Sequence, residues 1–286
     1  VSYALELAGD NATWFFDQGH VRIVYKTGML ANTLLKKLGE RTVPDTALAG
    51  VVLVQDTRNP VLSLRLRPGA CPLLEAARGQ LPDRGDPYRL VVPAAKRDLA
   101  EHYAAHLRDR VGLNPDADRA APDFLLSAPP PPSRVKSWQG EASFDGAVLT
   151  FSPDRETARK AKVTAGPQHV PVGDILGVEW ATPAGGSGHF RVRTTGSPSF
   201  TLEPDVDPHA IVFGFGPGTT ADSLSFTATV LAALPPRTGE PAAGGSLAAT
   251  TDEVVAAIRK LGELRELGLL TEEEFSAKKA ELLSRL

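Results

Sequence analysis

His102 and His106 stand four residues apart in a stretch of helical character, a spacing that lets two imidazoles share one metal ion. No third ligand accompanies them, so the pair reads as two partly exposed helix histidines. Asp116 and Asp118, and again Asp205 and Asp207, alternate like the first ligands of a calcium loop. Both lack the central glycine and distal glutamate that such a loop needs, and they read as solvated turns. Gly214-Phe215-Gly216-Pro217-Gly218 precedes a helical stretch whose N-terminus could cradle a phosphate. The Lys-Ser/Thr order of a phosphate-binding loop is missing and Pro217 removes an N–H, which leaves a turn into the helix. Cys71, the single cysteine, has no neighbouring base and reads as an inert packed thiol. There is no Gly-x-Ser-x-Gly elbow and no nucleophile–base pair. The chain is therefore expected to be no enzyme, with no metal and no cofactor.

One charged pattern occurs twice. Arg65-x-Arg67 and Arg191-x-Arg193 lie in strand-like segments, where residues two apart share a face. Basic residues also cluster after the first strands of each half: Lys36, Lys37 and Arg41 in one, Arg155, Arg159, Lys160 and Lys162 in the other. Arginine pairs suit bidentate contacts to phosphate. Arg65, Arg67, Arg191, Arg193, Lys36, Lys37, Arg159 and Lys160 are thus the candidate anion- or headgroup-binding residues. The alternative is an ordinary charged outer face.

The elements that must position these residues follow from the rest of the chain. It has 286 residues and a formal net charge of −3, with no apolar run near the length of a membrane span and no basic-then-apolar leader. A cytoplasmic protein, not a nucleic-acid binder, is expected, with a membrane surface admissible as a partner but not favoured. Prolines 129–132 mark a Pro-rich linker over 113–137, and the Pro/Gly-rich stretch 235–249 marks a flexible one. Three blocks remain, 1–112, 138–234 and 250–286. Of the first two, one carries a net charge of +3 and the other −4, so neither is a strong electrostatic attractor.

The first two blocks repeat each other. Phe16-Asp17-Gln18-Gly19, with Val21 after it, matches Phe144-Asp145-Gly146, with Val148 after it. Val43-Pro44, Leu48 and Gly50-Val51 match Val170-Pro171, Ile175 and Gly177-Val178 at identical spacing. The strand Leu62 to Arg67 matches Phe190 to Arg193, and Asp86-Pro87 with Leu90-Val91 matches Asp207-Pro208 with Ile211-Val212. Four matches in one order imply a duplicated domain. Leu62, Leu64 and Leu66 alternate with polar residues as in a half-buried strand. Each block then ends in one amphipathic helix, with stripes Leu99, Tyr103, Leu107, Val111 and Leu224, Ala228, Leu231, the second opened by a capping box of Thr219 and Asp222. Short strands closed by one helix predict a mainly β, α+β unit, a small barrel plugged by its terminal helix.

The F-D-x-G turn, the V-P-x-x-x-[LI]-x-G-V segment and the terminal helix resemble an actinobacterial family, domain of unknown function 4429. That resemblance implies two pleckstrin-homology-like barrels and no activity. In the last block Thr250/Glu253 and Thr271/Glu274 form capping boxes for two helices about Gly268. The run Ile258-x-x-Leu261-x-x-Leu264, Gly268-Leu269-Leu270-Thr271 and Glu273-Glu274-Phe275 resembles the SHOCT domain, a short helical hairpin. Its apolar face, Val254, Ile258, Leu261, Leu264, Phe275, Leu282 and Leu286, belongs to a block too small to be self-sufficient. It is expected to self-associate or dock a protein partner. The resulting expectation is a binding or scaffold protein, the alternative being a peripheral reader of anionic phospholipid or another phosphorylated ligand.

Overall fold

The computed structural model describes residues 5–55, 58–183, 186–214 and 219–235. The helical hairpin, the Gly214–Gly218 turn beyond Gly214 and the 235–249 linker beyond residue 235 lie outside the described residues.

Residues 1–239 form one compact unit that holds both repeats. In the first repeat β1 (Glu6–Ala8), β2 (Ala12–Asp17), β3 (His20–Tyr25) and β4 (Glu40–Pro44) form a four-stranded antiparallel sheet, with the short helix α1 (Thr33–Leu38) between β3 and β4. A second sheet of β5 (Leu48–Val54), β6 (Val61–Leu66) and β7 (Arg89–Val91) faces it, with α2 (Pro72–Ala77) in the β6–β7 connection and α3 (Arg97–Gly112) at the end. The second repeat follows the same order. Its sheets are β8 (Ser133–Ser137), β9 (Gly140–Phe144), β10 (Val148–Pro153) and β11 (Gln168–Pro171), then β12 (Ile175–Ala181), β13 (Gly188–Thr194) and β14 (Ala210–Phe213). Its helices are α4 (Lys160–Ala165), between β10 and β11, and the terminal α5 (Thr219–Ala232). Only α2 lacks a counterpart among the described residues. The architecture is mainly β with four antiparallel sheets, an α+β fold.

Register confirms the duplication and refines it. Val21 pairs with Val43 and with Phe16, as Leu149 pairs with Val170 and with Phe144. Val21 therefore corresponds to Leu149, not to Val148; both are fully buried, and the two hairpin turns have equal length with glycine at different positions. In the second turn Asp145 accepts from the N–H groups of Ala147 and Val148, which holds its carboxyl below the usual range. The strands β5 and β12 carry the same irregularity, after Leu48 and after Ile175, just before Gly50 and Gly177.

Closed barrels are not found. No ladder joins β4 to β5, or β11 to β12, among the described residues. On the other side of the first repeat a side chain stands in for a ladder. The Asp10 N–H donates to Val91 O at 2.7 Å, and the Asn11 amide exchanges hydrogen bonds with Arg89 O and Val91 N. Helix α3 lies on β5 and on the Asp45–Ala47 turn between the sheets, anchored by Arg110 on Asp45 and by Tyr103 stacked on Phe16 at 4.0 Å. Its buried stripe is Ala100, Tyr103, Ala104 and Leu107, while Leu99, expected on that stripe, is exposed.

Helix α5 differs from expectation more deeply. Leu224, Ala228 and Leu231 are buried, but so are Ser223, Ser225, Thr227 and Thr229. It packs on β8 and β12 of its own repeat and on α1 and α2 of the other. Of these four hydroxyls only Ser225 Oγ has no hydrogen-bond partner. Thr227 and Thr229 donate back to the carbonyls of Ser223 and Ser225, Thr229 also reaches Pro129 O, and Ser223 Oγ accepts from Trp180 Nε1 at 3.0 Å. Asp222, expected in a capping box, ion-pairs with Lys37 across the repeats. Gln80 adds a second inter-repeat clip, donating to Trp180 O and accepting from Thr182 N.

The 113–137 stretch is accordingly not a free spacer. Prolines 130–132 are exposed, but Leu126 is buried, Leu125 and Leu126 both donate to Ala70 O, and Ser133–Ser137 is already the first strand of the second repeat.

Candidate functional site

The shared irregularity in β5 and β12 sets which arginines correspond. Gly50 faces Arg65 and Gly177 faces Arg193, so Arg65 is the counterpart of Arg193, while Arg191 corresponds to Ser63. The expected twin Arg-x-Arg faces are thus out of step by two residues. At Gly177 a Cβ would lie 2.6 Å from Arg193 Nη2, so the arginine crosses the strand where no side chain stands; at Gly50 a Cβ would meet Arg65 only at 3.9 Å. Arg65 and Arg193 are both exposed.

The others are engaged. Arg67 is past the end of β6 and buried, its guanidinium donating to the carbonyls of Thr46, Arg119 and Ala120. It pins the 114–128 stretch to the first repeat and offers nothing to a ligand. Arg67→Ala is expected to cost about 2–4 kcal/mol, because it leaves three carbonyls without their donor. Thermal unfolding followed by circular dichroism checks this, and an unchanged midpoint would refute the structural role. Arg191 forms a fork on Glu179 (2.9 and 3.1 Å), donates to Leu202 O, and lies 4.0 Å over the Phe200 ring. Lys37 is taken by Asp222 and Arg159 by Asp205. Lys36, Lys160 and Arg155 are exposed. Arg41 and Lys162 are buried. The basic residues grouped by sequence are therefore split among separate places.

Two polar constellations come from residues that sequence spacing did not single out together. The first lies on the outer face of the second repeat's three-stranded sheet. Glu179 on β12 receives His189 at 2.7 Å and Arg191, both on β13. Burial pushes the Glu179 carboxyl up, but the hydrogen bonds and charge of His189 and Arg191 outweigh it and hold the group below the usual range. Beside them a groove of about 440 Å³ is lined by His189, Arg191, Phe200, Leu202, Glu203 and Asp205.

The second constellation begins at Asp205 and runs inward. Asp205 accepts from Arg159 and from the Gln139 amide, Gln139 Oε1 accepts from Lys162 Nζ at 2.8 Å, and Lys162 also donates to Ala210 O at 2.9 Å. Lys162 is 3 % exposed, and burial lowers its ammonium to about 8 against the pull of Asp205 and Asp207. The repeat makes its origin plain. The Lys162 carbonyl accepts from Gly166 N–H just as the Leu35 carbonyl accepts from Gly39 N–H, so a lysine stands where the first copy has a core leucine. Gln139 stands where the first copy has Asn11. In the first repeat Asn11 reaches the β7 carbonyl directly; in the second, Lys162 bridges the glutamine to the matching β14 carbonyl.

The first repeat holds a different cluster. Arg41 donates to Ser127 O at 2.6 Å and to Tyr88 Oη at 3.2 Å, and Cys71 Sγ lies 3.0 Å from the same hydroxyl. Burial pushes the Tyr88 phenol far up, so it stays protonated and available as donor and acceptor. Cys71 is buried. His102 and His106 are exposed on α3, and no metal-holding group of three or more His, Cys, Asp and Glu occurs among the described residues. The SHOCT-like residues Val254, Ile258, Leu261, Leu264, Phe275, Leu282 and Leu286 fall outside the described residues.

A signal for the buried lysine was present in the sequence. Aligning Gly39 with Gly166 places Lys162 on Leu35, a charged-for-apolar exchange at a position one copy shows to be interior.

Comparison with known families gives two matches. The family model described as Domain of unknown function (DUF4429) matches residues 14–108 and again 142–231, and the model described as Short C-terminal domain (SHOCT) matches residues 256–283. No curated protein matches the chain.

Proposed function

This chain belongs to the DUF4429 family, and from that premise we propose that it is a non-enzymatic binding or scaffold protein whose SHOCT segment assembles copies or docks a protein partner. Each repeat, four strands then three strands then a terminal helix, fits a pleckstrin-homology-like unit that presents surfaces rather than performing chemistry. The observation that carries the reading is α5, mostly buried and packed on elements of both repeats. It joins the tandem pair within one compact unit, which suits a platform that holds binding surfaces side by side. The apolar stripe of the 250–286 block supplies the means of assembly, since a hairpin of that size leaves leucine surface uncovered.

The test is light scattering on the full chain and on the Leu261→Asp, Leu264→Asp double variant. The expected result is a higher oligomer for the wild type, by closed symmetry, and a lower state for the variant with the tandem repeats still folded. A pull-down from the native cell, with and without residues 250–286, identifies a docked partner. A wild type that stays monomeric at high micromolar concentration and captures nothing through this block would defeat the proposal.

The reading of the basic strands as a site for an anionic headgroup or other phosphorylated ligand retains, of its eight residues, Arg65 and Arg193 at equivalent exposed positions, with Lys36 and Lys160 on their own helices.

A further inference from the structure

The loop between β3 and α1 carries the two most exposed large apolar side chains of the described residues. Met29 and Leu30 are 96 % and 102 % exposed, and they are adjacent. They stand at the tip of a turn that is held on both sides. Ala31 N–H donates to Gly28 O at 3.0 Å across the tip, and Lys26 N–H donates to Asn11 O before it. After it, the Asn32 side chain accepts from Leu34 N and Leu35 N, capping α1, whose Leu34 and Leu35 are buried. The tip is therefore presented by an anchored frame. Lys26 stands three residues before Met29 and Lys36 six after Leu30, on α1; both are exposed, and neither forms an ion pair with the described residues.

The second repeat shows that the fold does not require apolar residues here. Its corresponding segment, between β10 and α4, closes on itself with polar groups: Asp154 accepts from Glu156 N, Thr157 N and the Thr157 hydroxyl. One copy has a self-satisfied polar loop and the other displays methionine and leucine at a convex tip.

We propose that the Met29–Leu30 turn is a wedge that inserts into the interface of a bilayer carrying anionic lipid. A convex tip offers no groove for a rigid partner, whereas the headgroup region yields around two side chains and takes them out of water. Lys26 and Lys36 place cationic heads beside the inserted tip, where anionic lipid phosphates and carboxylates lie, with their stems along the apolar boundary. This surface uses neither the SHOCT segment nor the strand arginines, so it stands or falls apart from them. Because the chain as a whole is anionic, the attachment is weak, reversible and salt-sensitive.

The test is co-sedimentation of the full chain with vesicles of phosphatidylcholine alone and of phosphatidylcholine with about one third phosphatidylserine. The wild type is expected to pellet with the second kind and to be released by salt. Met29→Asp with Leu30→Asp should weaken vesicle binding at least about tenfold, since both inserted side chains are replaced by charges. Lys26→Ala with Lys36→Ala should remove most of the salt dependence. Neither variant should move the thermal unfolding midpoint much, because Met29 and Leu30 are fully exposed and Lys26 and Lys36 are exposed. Failure of the wild type to bind anionic vesicles overturns the proposal, as does equal binding by the double aspartate variant. Loss of binding in Arg65→Glu with Arg193→Glu, while the aspartate variant still binds, likewise overturns it and moves the site to the strands.

Discussion

Replacing Phe226 with alanine should lower the stability of the tandem unit by about 3–5 kcal/mol, the range for deleting a buried phenyl ring. The side chain is fully buried at the middle of α5 and sits edge-on to Phe190 at 5.1 Å. Against a total stability of roughly 5–15 kcal/mol for a domain, that is a large fraction. The sharper expectation is cooperativity. Helix α5 belongs to the second repeat but packs on α1 and α2 of the first, so weakening it should shift the unfolding of both repeats together. Buried Trp14 reports on the first repeat and buried Trp180 on the second. In urea, fluorescence and far-ultraviolet circular dichroism should give one coincident transition in the wild type and one, at lower denaturant, in Phe226→Ala. Two separated transitions in the wild type would show that the repeats unfold independently and that α5 does not unite them.

Lys162 should make stability depend on pH in an unusual direction. Its folded ammonium is lowered to about 8 by burial, against an ordinary value of 10.5. Between those values the unfolded chain holds a proton that the folded chain has released, so stability rises as pH rises through that window. The full shift corresponds to roughly 3 kcal/mol. Near pH 10 an opposing effect begins. Burial raises the Tyr25 and Tyr88 phenols, so the unfolded chain loses protons there that the folded chain keeps, and stability falls. The wild type should therefore gain stability from about pH 8 to about pH 10 and lose it above. Lys162→Met should abolish the gain while leaving the loss. At neutral pH the same substitution removes a buried charge but leaves Gln139 Oε1 and Ala210 O without their donor, effects of opposite sign and similar size. The slope with pH, not the offset, is the diagnostic. A wild-type urea midpoint that stays flat across the window would show that Lys162 is solvated.

How much of this the amino-acid sequence determined varies with the range of the interaction. Strand β6 was legible because alternation places Leu62 and Leu64 on one buried face, and a period of two needs only neighbours to be read. The duplication was legible because it is a comparison of the chain with itself, and the DUF4429 and SHOCT segments because their motifs are local in sequence. Helices α1, α2 and α4, at six residues each, were not, since less than two turns shows no periodicity. Strand β8 was hidden by the prolines before it and by having one buried apolar residue, Val135.

The tertiary structure alone decided what the charged residues do. Arg67 and Arg191 look alike in sequence, but one is sealed onto carbonyls 52 and 53 residues away and the other onto Glu179 across a strand pair. Arg41 and Lys162 sit in basic runs that read as solvent-facing, and both are interior, because their partners Ser127, Tyr88, Gln139 and Ala210 come from distant segments. Helix α5 shows the same division. Its apolar stripe was visible, but Ser223 with Thr227 and Ser225 with Thr229 lie on two different sides of the helix, and the burial of both follows from packing against elements of both repeats. Apolar periodicity is written along the chain, since burial of one face selects it residue by residue. A polar side chain's role depends on which distant donor or acceptor the fold brings within about 3 Å of it, and no spacing along the sequence encodes that.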